Sequence, residues 1–196
     1  ILKRQISLPF HRLKGETMHK KVALLALFAF LSTTIGFAQM GGDKSKRPSP
    51  PASASCDLGG GKTVKTDYSS PRIRERKIYG GLVPYDQVWR TGANEATTFV
   101  TSSDINVGGT NVPAGSYTIF TIPRQNNWTL IISKKTGEWG TDYPGETNDL
   151  ARIDMKVSKL PSPVENFTIT YQKSGSGCTM NIDWDTTRAS VEIKAK

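Results

Sequence analysis

The sequence predicts an all-β protein: one antiparallel β-sandwich, jelly-roll-like in outline, with a single long loop docked on it. Three observations carry that expectation. From residue 63 onward, short runs of β-branched and aromatic residues are separated by Gly, Pro, Asn and Asp, the punctuation of strands and turns. Apolar residues recur with a period of two, so Phe167, Ile169 and Tyr171 share one strand face and Met180, Ile182 and Trp184 another. No stretch of the domain carries the apolar stripe of an amphipathic helix.

The chain of 196 residues suits one domain preceded by export elements. Residues 1–17 read as a start-site artefact ahead of Met18. Met18-His19-Lys20-Lys21 is a basic n-region, residues 22–35 are an apolar h-region, and Gly36-Phe37-Ala38 places small residues before a cut. Residues 18–38 are therefore expected to be a signal peptide, cleaved before Gln39, and the product periplasmic or secreted. The alternative is an uncleaved anchor, but the stretch is interrupted by Ser32, Thr33 and Thr34 and falls short of the roughly 20 residues a span needs. With Cys56 the first cysteine after the leader, acylation of the new N-terminus is not expected, nor stable membrane insertion after cleavage.

Residues 39–55 are rich in Gly, Ser, Pro, Ala and Lys and read as a disordered linker, because they offer little apolar surface to bury. The domain is expected to span 56–196. Cys56 and Cys178 near its two ends form an even pair in an exported chain, which reads as a disulfide; two buried thiols are the alternative.

Within the domain, strands are expected at 63–68, 97–102, 105–107, 110–112, 116–122, 128–133, 152–157, 167–172, 179–184 and 190–193. Gly108-Gly109 between two apolar runs fits a two-residue hairpin turn that requires positive φ. Gln125-Asn126-Asn127 and Ser174-Gly175-Ser176-Gly177 mark further hairpins, so the connections are antiparallel rather than βαβ. Trp128, Leu130 and Ile132 are expected in the core.

Residues 68–98 break the pattern. The stretch is too long for a hairpin loop and contains enough apolar side chains, from Ile73 to Trp89, to dock. It also carries Arg72, Arg74, Arg76, Lys77 and Arg90 beside Glu75, Asp86 and Glu95. Arginine forks bind carboxylate or phosphate, so the loop is either an internal ion-pair lattice or an anion pocket.

Charge and composition exclude several functions. Of the 26 basic and 17 acidic residues, six basic and one acidic lie in residues 1–38, which leaves 20 against 16. That balance lacks the concentrated basic face of a nucleic-acid binder. The two histidines, His11 and His19, precede the mature chain, which removes His-based nucleophilic triads and His-containing zinc sites. Asp183 and Asp185 lack an EF-hand spacing, so no metal and no cofactor is expected. Asn127-Trp128-Thr129 and Asn166-Phe167-Thr168 match the glycosylation triplet but lie in expected strands.

Three longer strings are distinctive: Arg76-Lys77-Ile78-Tyr79-Gly80-Gly81-Leu82-Val83-Pro84-Tyr85, Val88-Trp89-Arg90-Thr91-Gly92-Ala93-Asn94-Glu95-Ala96-Thr97, and Val112-Pro113-Ala114-Gly115-Ser116-Tyr117-Thr118-Ile119-Phe120-Thr121. With Ser70-Pro71, the 128–132 run, the 135–140 turn and the closing 184–191 region, they resemble the bacterial domain-of-unknown-function family 2911 from about residue 55 to 193. The resemblance implies an exported protein of a Bacteroidetes-like bacterium and no particular activity.

Three readings of function follow. The first is a noncatalytic envelope or secreted binding module whose loop presents Tyr68, Arg74, Arg90, Asn94 and Glu95 to a small-molecule or glycan ligand. The second is a carboxylate-dependent saccharide hydrolase drawing on Glu75, Asp86, Glu95 or Glu138. The third is a structural domain whose loop is a lid on the core.

Overall fold

The structure is a computed structural model that describes residues 43–139 and 142–196; the expected start-site piece and signal peptide lie outside them. Nine strands are described: β1 (Pro51–Gly59), β2 (Lys62–Ser69), β3 (Thr97–Thr101), β4 (Ile105–Val107), β5 (Thr110–Val112), β6 (Gly115–Pro123), β7 (Asn127–Ser133), β8 (Asp149–Ser174) and β9 (Gly177–Ala195). All pair antiparallel in one sheet of order β1-β2-β3-β6-β7-β8-β9-β4-β5. The all-β, sandwich-like fold is thus present, but its two layers are halves of one sheet. β1 lies against β8 and β9 without a backbone ladder to them, and the Cys56–Cys178 disulfide joins β1 to the start of β9 with Cα atoms 6.5 Å apart.

Period-two alternation places the core as expected. Trp128, Leu130, Ile132, Phe167, Ile169, Met180, Ile182 and Trp184 are all buried on the inner face. The β4–β5 turn takes φ 53° at Gly108 and 92° at Gly109, values at which an L side chain is strained and glycine is not. A side chain at Gly108 would in addition stand 2.6 Å from Ile153 Cγ2.

Two expectations are corrected. Residues 43–55 are not a disordered linker: Lys44–Lys46 forms a 3-10 turn capped by Asp43, and β1 begins at Pro51. Small residues conceal a period-two face on which Ala52 and Ala54 pack on the core and Cys56 and Leu58 are buried. Proline is tolerated because β1 is an edge strand and Pro51 its first residue. The second correction concerns 152–172 and 179–193, expected as four strands and found as two long ones. Pro161 and Pro163 remove ladder donors, and the register jumps between Lys159, Val164 and Thr168. The backbone nevertheless stays extended through the bend, with Asp185 opposite at φ 51°. In this way β8 and β9 run on through both layers.

β6 is buried on both faces. Tyr117, Ile119 and Thr121 point inward, while Phe120 and Ile122 join Ile131 and Ala96 in a second, outer cluster against Val88 and Tyr143. That outer cluster is roofed by the docked loop and by the connection from β7 to β8, and the candidate site lies along this roof.

Candidate functional site

The docked loop is anchored first by Trp89. Its backbone pairs with Thr121 in both directions, at 2.8 and 2.9 Å, continuing the sheet beside β6. The indole stacks on Trp184 with centroids 5.9 Å apart and meets Phe167 and Trp128 edge-on at 5.3 and 6.4 Å. Alternation then turns Val88 and Arg90 to the outer face. Beyond Trp89 the chain reverses through Thr91 at φ 56° and Gly92. A β-branched residue in the left-handed region costs about 1 to 3 kcal/mol. It is held there by a buried hydroxyl knot, in which Thr91 Oγ1 donates to Thr121 Oγ1 at 3.1 Å and Thr97 Oγ1 donates to the Thr91 carbonyl at 2.7 Å.

The reversal delivers Asn94 and Glu95 to the N-terminal arm, residues 43–50. Asn94 Nδ2 donates to the Ser49 carbonyl at 3.0 Å. Glu95 receives Lys44 Nζ at 2.9 Å and Arg47 NH1 at 3.0 Å. Partial burial pushes the Glu95 carboxyl up, but hydrogen bonds from Lys44, from its own backbone and from Arg47, with the Lys44 charge, outweigh it and hold the group at about 2.

On its other side Glu95 forms a β-bridge with Trp139, and Ala96 N–H donates to the Glu138 carbonyl at 3.1 Å. This pairing fixes Trp139 with its indole 57% exposed and the Arg47 guanidinium 6.0 Å from the ring centroid. Two clefts flank the bridge. One, of 240 Å³, is lined by Lys44, Arg47, Asp67, Glu95 and Thr98 among others. The second, of 420 Å³, is lined by Lys135, Glu138, Trp139, Asp142 and Tyr143 with their neighbours. Glu138 Oε2 accepts from Thr118 Oγ1 at 2.9 Å, while its buried Oε1 has no partner among the described residues. Tyr143 OH donates to Asp149 Oδ2 at 2.7 Å; burial, then this hydrogen bond, raises its phenol.

Of the five residues expected to bind ligand, Asn94 and Glu95 come together, but both are engaged by the arm. Tyr68 adjoins the smaller cleft, yet its ring packs on Phe167 and its hydroxyl sits between the Ile169 N–H and carbonyl at 3.1 and 3.4 Å. Arg74 lies apart, exposed in a tight turn with Glu75 at φ 48° and 58°, its backbone N–H on Glu165 Oε1 at 3.0 Å. Arg90 pairs with none of the described carboxylates; its Nε is buried without a partner, and burial lowers its pKa. The loop is therefore neither an ion-pair lattice among its own arginines nor a shared arginine pocket.

Sequence reasoning missed Lys44 and Arg47, placed in the linker, and Trp139. Trp139 carried a signal, for it is a tryptophan in a Gly-flanked turn, outside any period-two run, where core packing does not call for an indole. Of the carboxylates considered for hydrolysis, Asp86 is held by Arg124 at 2.9 Å and Glu75 is exposed in its turn. Glu95 and Glu138 line the two clefts. Among the described residues no three His, Cys, Asp or Glu side chains gather as a metal-binding set, and no helix is long and apolar enough to cross a membrane.

No curated protein and no solved structure matches the chain. Residues 49–193 match the family model described as protein of unknown function, DUF2911, which takes in β1, the docked loop, the cleft beside Trp139 and nearly all of the long hairpin but leaves out Lys44 and Arg47 of the smaller cleft. The chain is a member of the DUF2911 family.

Proposed function

We propose that this protein is an exported, noncatalytic binding module that takes a saccharide at the Trp139 clefts. The observation that carries this reading is Trp139, a largely exposed indole held in a fixed backbone bridge at the rim of a 420 Å³ cleft. That volume lies within the roughly 300 to 1,000 Å³ of small-molecule sites. A sugar ring has an apolar C–H face that can lie on an indole, and hydroxyls that both donate and accept. Glu138, Asp142, Tyr143 and Lys135 surround the platform with complementary groups.

Glu95, at about 2, carries no proton to donate near neutrality and so cannot serve as the general acid that glycoside hydrolysis requires. Export agrees with the buried Cys56–Cys178 disulfide, a bond that persists in oxidising compartments.

The test is glycan-array binding of the chain from Gln39 to Lys196 and of its Trp139→Ala variant, followed by calorimetry on each glycan bound. The variant is expected to lose at least about tenfold in affinity, roughly 1.4 kcal/mol, with its thermal unfolding unchanged. Binding indifferent to Trp139→Ala, or none on the array, would overturn the reading. Release of reducing ends from a bound glycan would favour the hydrolase instead.

A further inference from the structure

We propose that the saccharide is acidic, and that Lys44 and Arg47 of the N-terminal arm clamp its carboxylate beside Trp139. The proposal rests on the saccharide reading of the Trp139 clefts and goes one step further, to the charge of the ligand.

The smaller cleft is lined by two cations, Lys44 and Arg47, and two carboxylates, Glu95 and Asp67, but Lys65 from outside the lining takes up Asp67 at 2.8 Å. Lys44 and Arg47 share the single carboxylate of Glu95. One positive charge is left over. Arg47 also keeps unused capacity. Only its NH1 is engaged with Glu95, so among the described residues its NH2 and Nε remain available for a second carboxylate. The existing pairs are easily rearranged, because the Lys44 and Glu95 side chains are 58% and 37% exposed and such surface pairs hold weakly.

Geometry links this charge to the platform. The Arg47 guanidinium lies over the Trp139 ring, so a carboxylate held on its free edge sets the attached pyranose alongside the indole. The next hydroxyls then reach the Glu138 side of the bridge. The larger 620 Å³ groove on β8 and β9 has no comparable preference. Its Asp154, Lys156, Glu192 and Lys194 balance in sign, and Lys194 is already paired with Glu192 at 3.0 Å.

The experiment is calorimetric titration of the chain from Gln39 with trigalacturonate and with its fully methyl-esterified form, which has the same rings without the charge. The acid is expected to bind at least tenfold more tightly, with the advantage shrinking as salt rises. Arg47→Ala should cut the acid-to-ester ratio at least fivefold. Glu95→Gln should raise it severalfold, because the ligand no longer competes with an internal carboxylate. Unfolding curves of both variants verify that they fold, and Lys44→Ala, at a mostly exposed side chain, repeats the test independently. Equal affinity for acid and ester, or a ratio unmoved by Arg47→Ala and Lys44→Ala, overturns the acidic ligand while leaving a Trp139-dependent neutral saccharide standing. Failure to bind either probe, with neutral glycans bound on the array, also overturns the acidic ligand alone.

Discussion

Arg47 NH1 stands 3.0 Å from both carboxylate oxygens of Glu95, 48 residues further along the chain. This contact ties the N-terminal arm to the loop that carries the most distinctive string of the sequence. It also decides what Arg90 is free from doing, since Glu95, five residues on, already has two other cations.

The first prediction concerns pH. Glu95 titrates at about 2 in the folded protein against an ordinary 4.5, so its contribution is present above about 4.5 and is lost as pH falls toward 2. With its side chain 37% exposed, that contribution is below about 1 kcal/mol. Acid titration from neutral pH should release the arm from Trp139 and change the fluorescence of this exposed indole. Glu95→Gln should lack the transition; a transition of unchanged size in that variant would assign it to another group.

Arg90→Ala is expected to be mild. Its Nε has no partner among the described residues and Glu95 keeps Lys44 and Arg47, so no carboxylate is orphaned. A loss of about 1 kcal/mol or less is expected in urea unfolding. A loss above about 3 kcal/mol would mean that Arg90 neutralises a buried charge.

Reduction of Cys56–Cys178 should be costly. The bond spans 122 residues and fastens the β1 edge to the turn of the long hairpin. In the chain-entropy model a loop of that size stabilises by about 4 to 5 kcal/mol. Urea midpoints of the oxidised protein and of a Cys56→Ser, Cys178→Ser double variant measure the difference; equal midpoints would remove the clamp from the account.

Gly92→Ala tests the hydroxyl knot. A methyl there would stand 3.0 Å from the Ser69 carbonyl oxygen and 3.2 Å from Thr97 Oγ1, at φ 152°. The backbone of β2 cannot yield without disturbing its ladder, and a loss of about 1 to 3 kcal/mol is expected. A neutral result in thermal unfolding would mean that the reversal after Trp89 is loosely packed.

Protein recovered from its native host should begin at Gln39, four residues ahead of Asp43 in the arm. Intact-mass measurement checks this, and retention of residues 22–38 would contradict export by cleavage.

Strong period-two patterning made the core legible in advance. Trp128, Phe167, Ile169, Met180, Ile182 and Trp184 are buried where alternation puts them, because burial of large apolar side chains dominates strand placement. β1 escaped notice for the converse reason. Ala52 and Ala54 bury little surface, and what holds that strand is its full ladder with β2, from Pro51 opposite Ser69 to Gly59 opposite Lys62, together with a disulfide to a residue 122 positions away. The unbroken course of β8 and β9 was hidden by Pro161 and Pro163, which interrupt hydrogen bonding without ending the extended backbone.

For the site, the sequence by itself determined which chemistry was available: no histidine after His19, one cysteine pair, and a docked loop with four arginines, two glutamates and one tryptophan. Only the tertiary structure decided which of those groups meet. Electrostatic partners are chosen by proximity in space, and the folding of the sheet places Lys44 and Arg47 on Glu95 while it leaves Arg90 without a carboxylate partner among the described residues and carries Arg74 to another turn. The position of Trp139 is likewise tertiary, since its exposure follows from a backbone bridge to Glu95, 44 positions earlier in the chain, that no local pattern in either segment encodes.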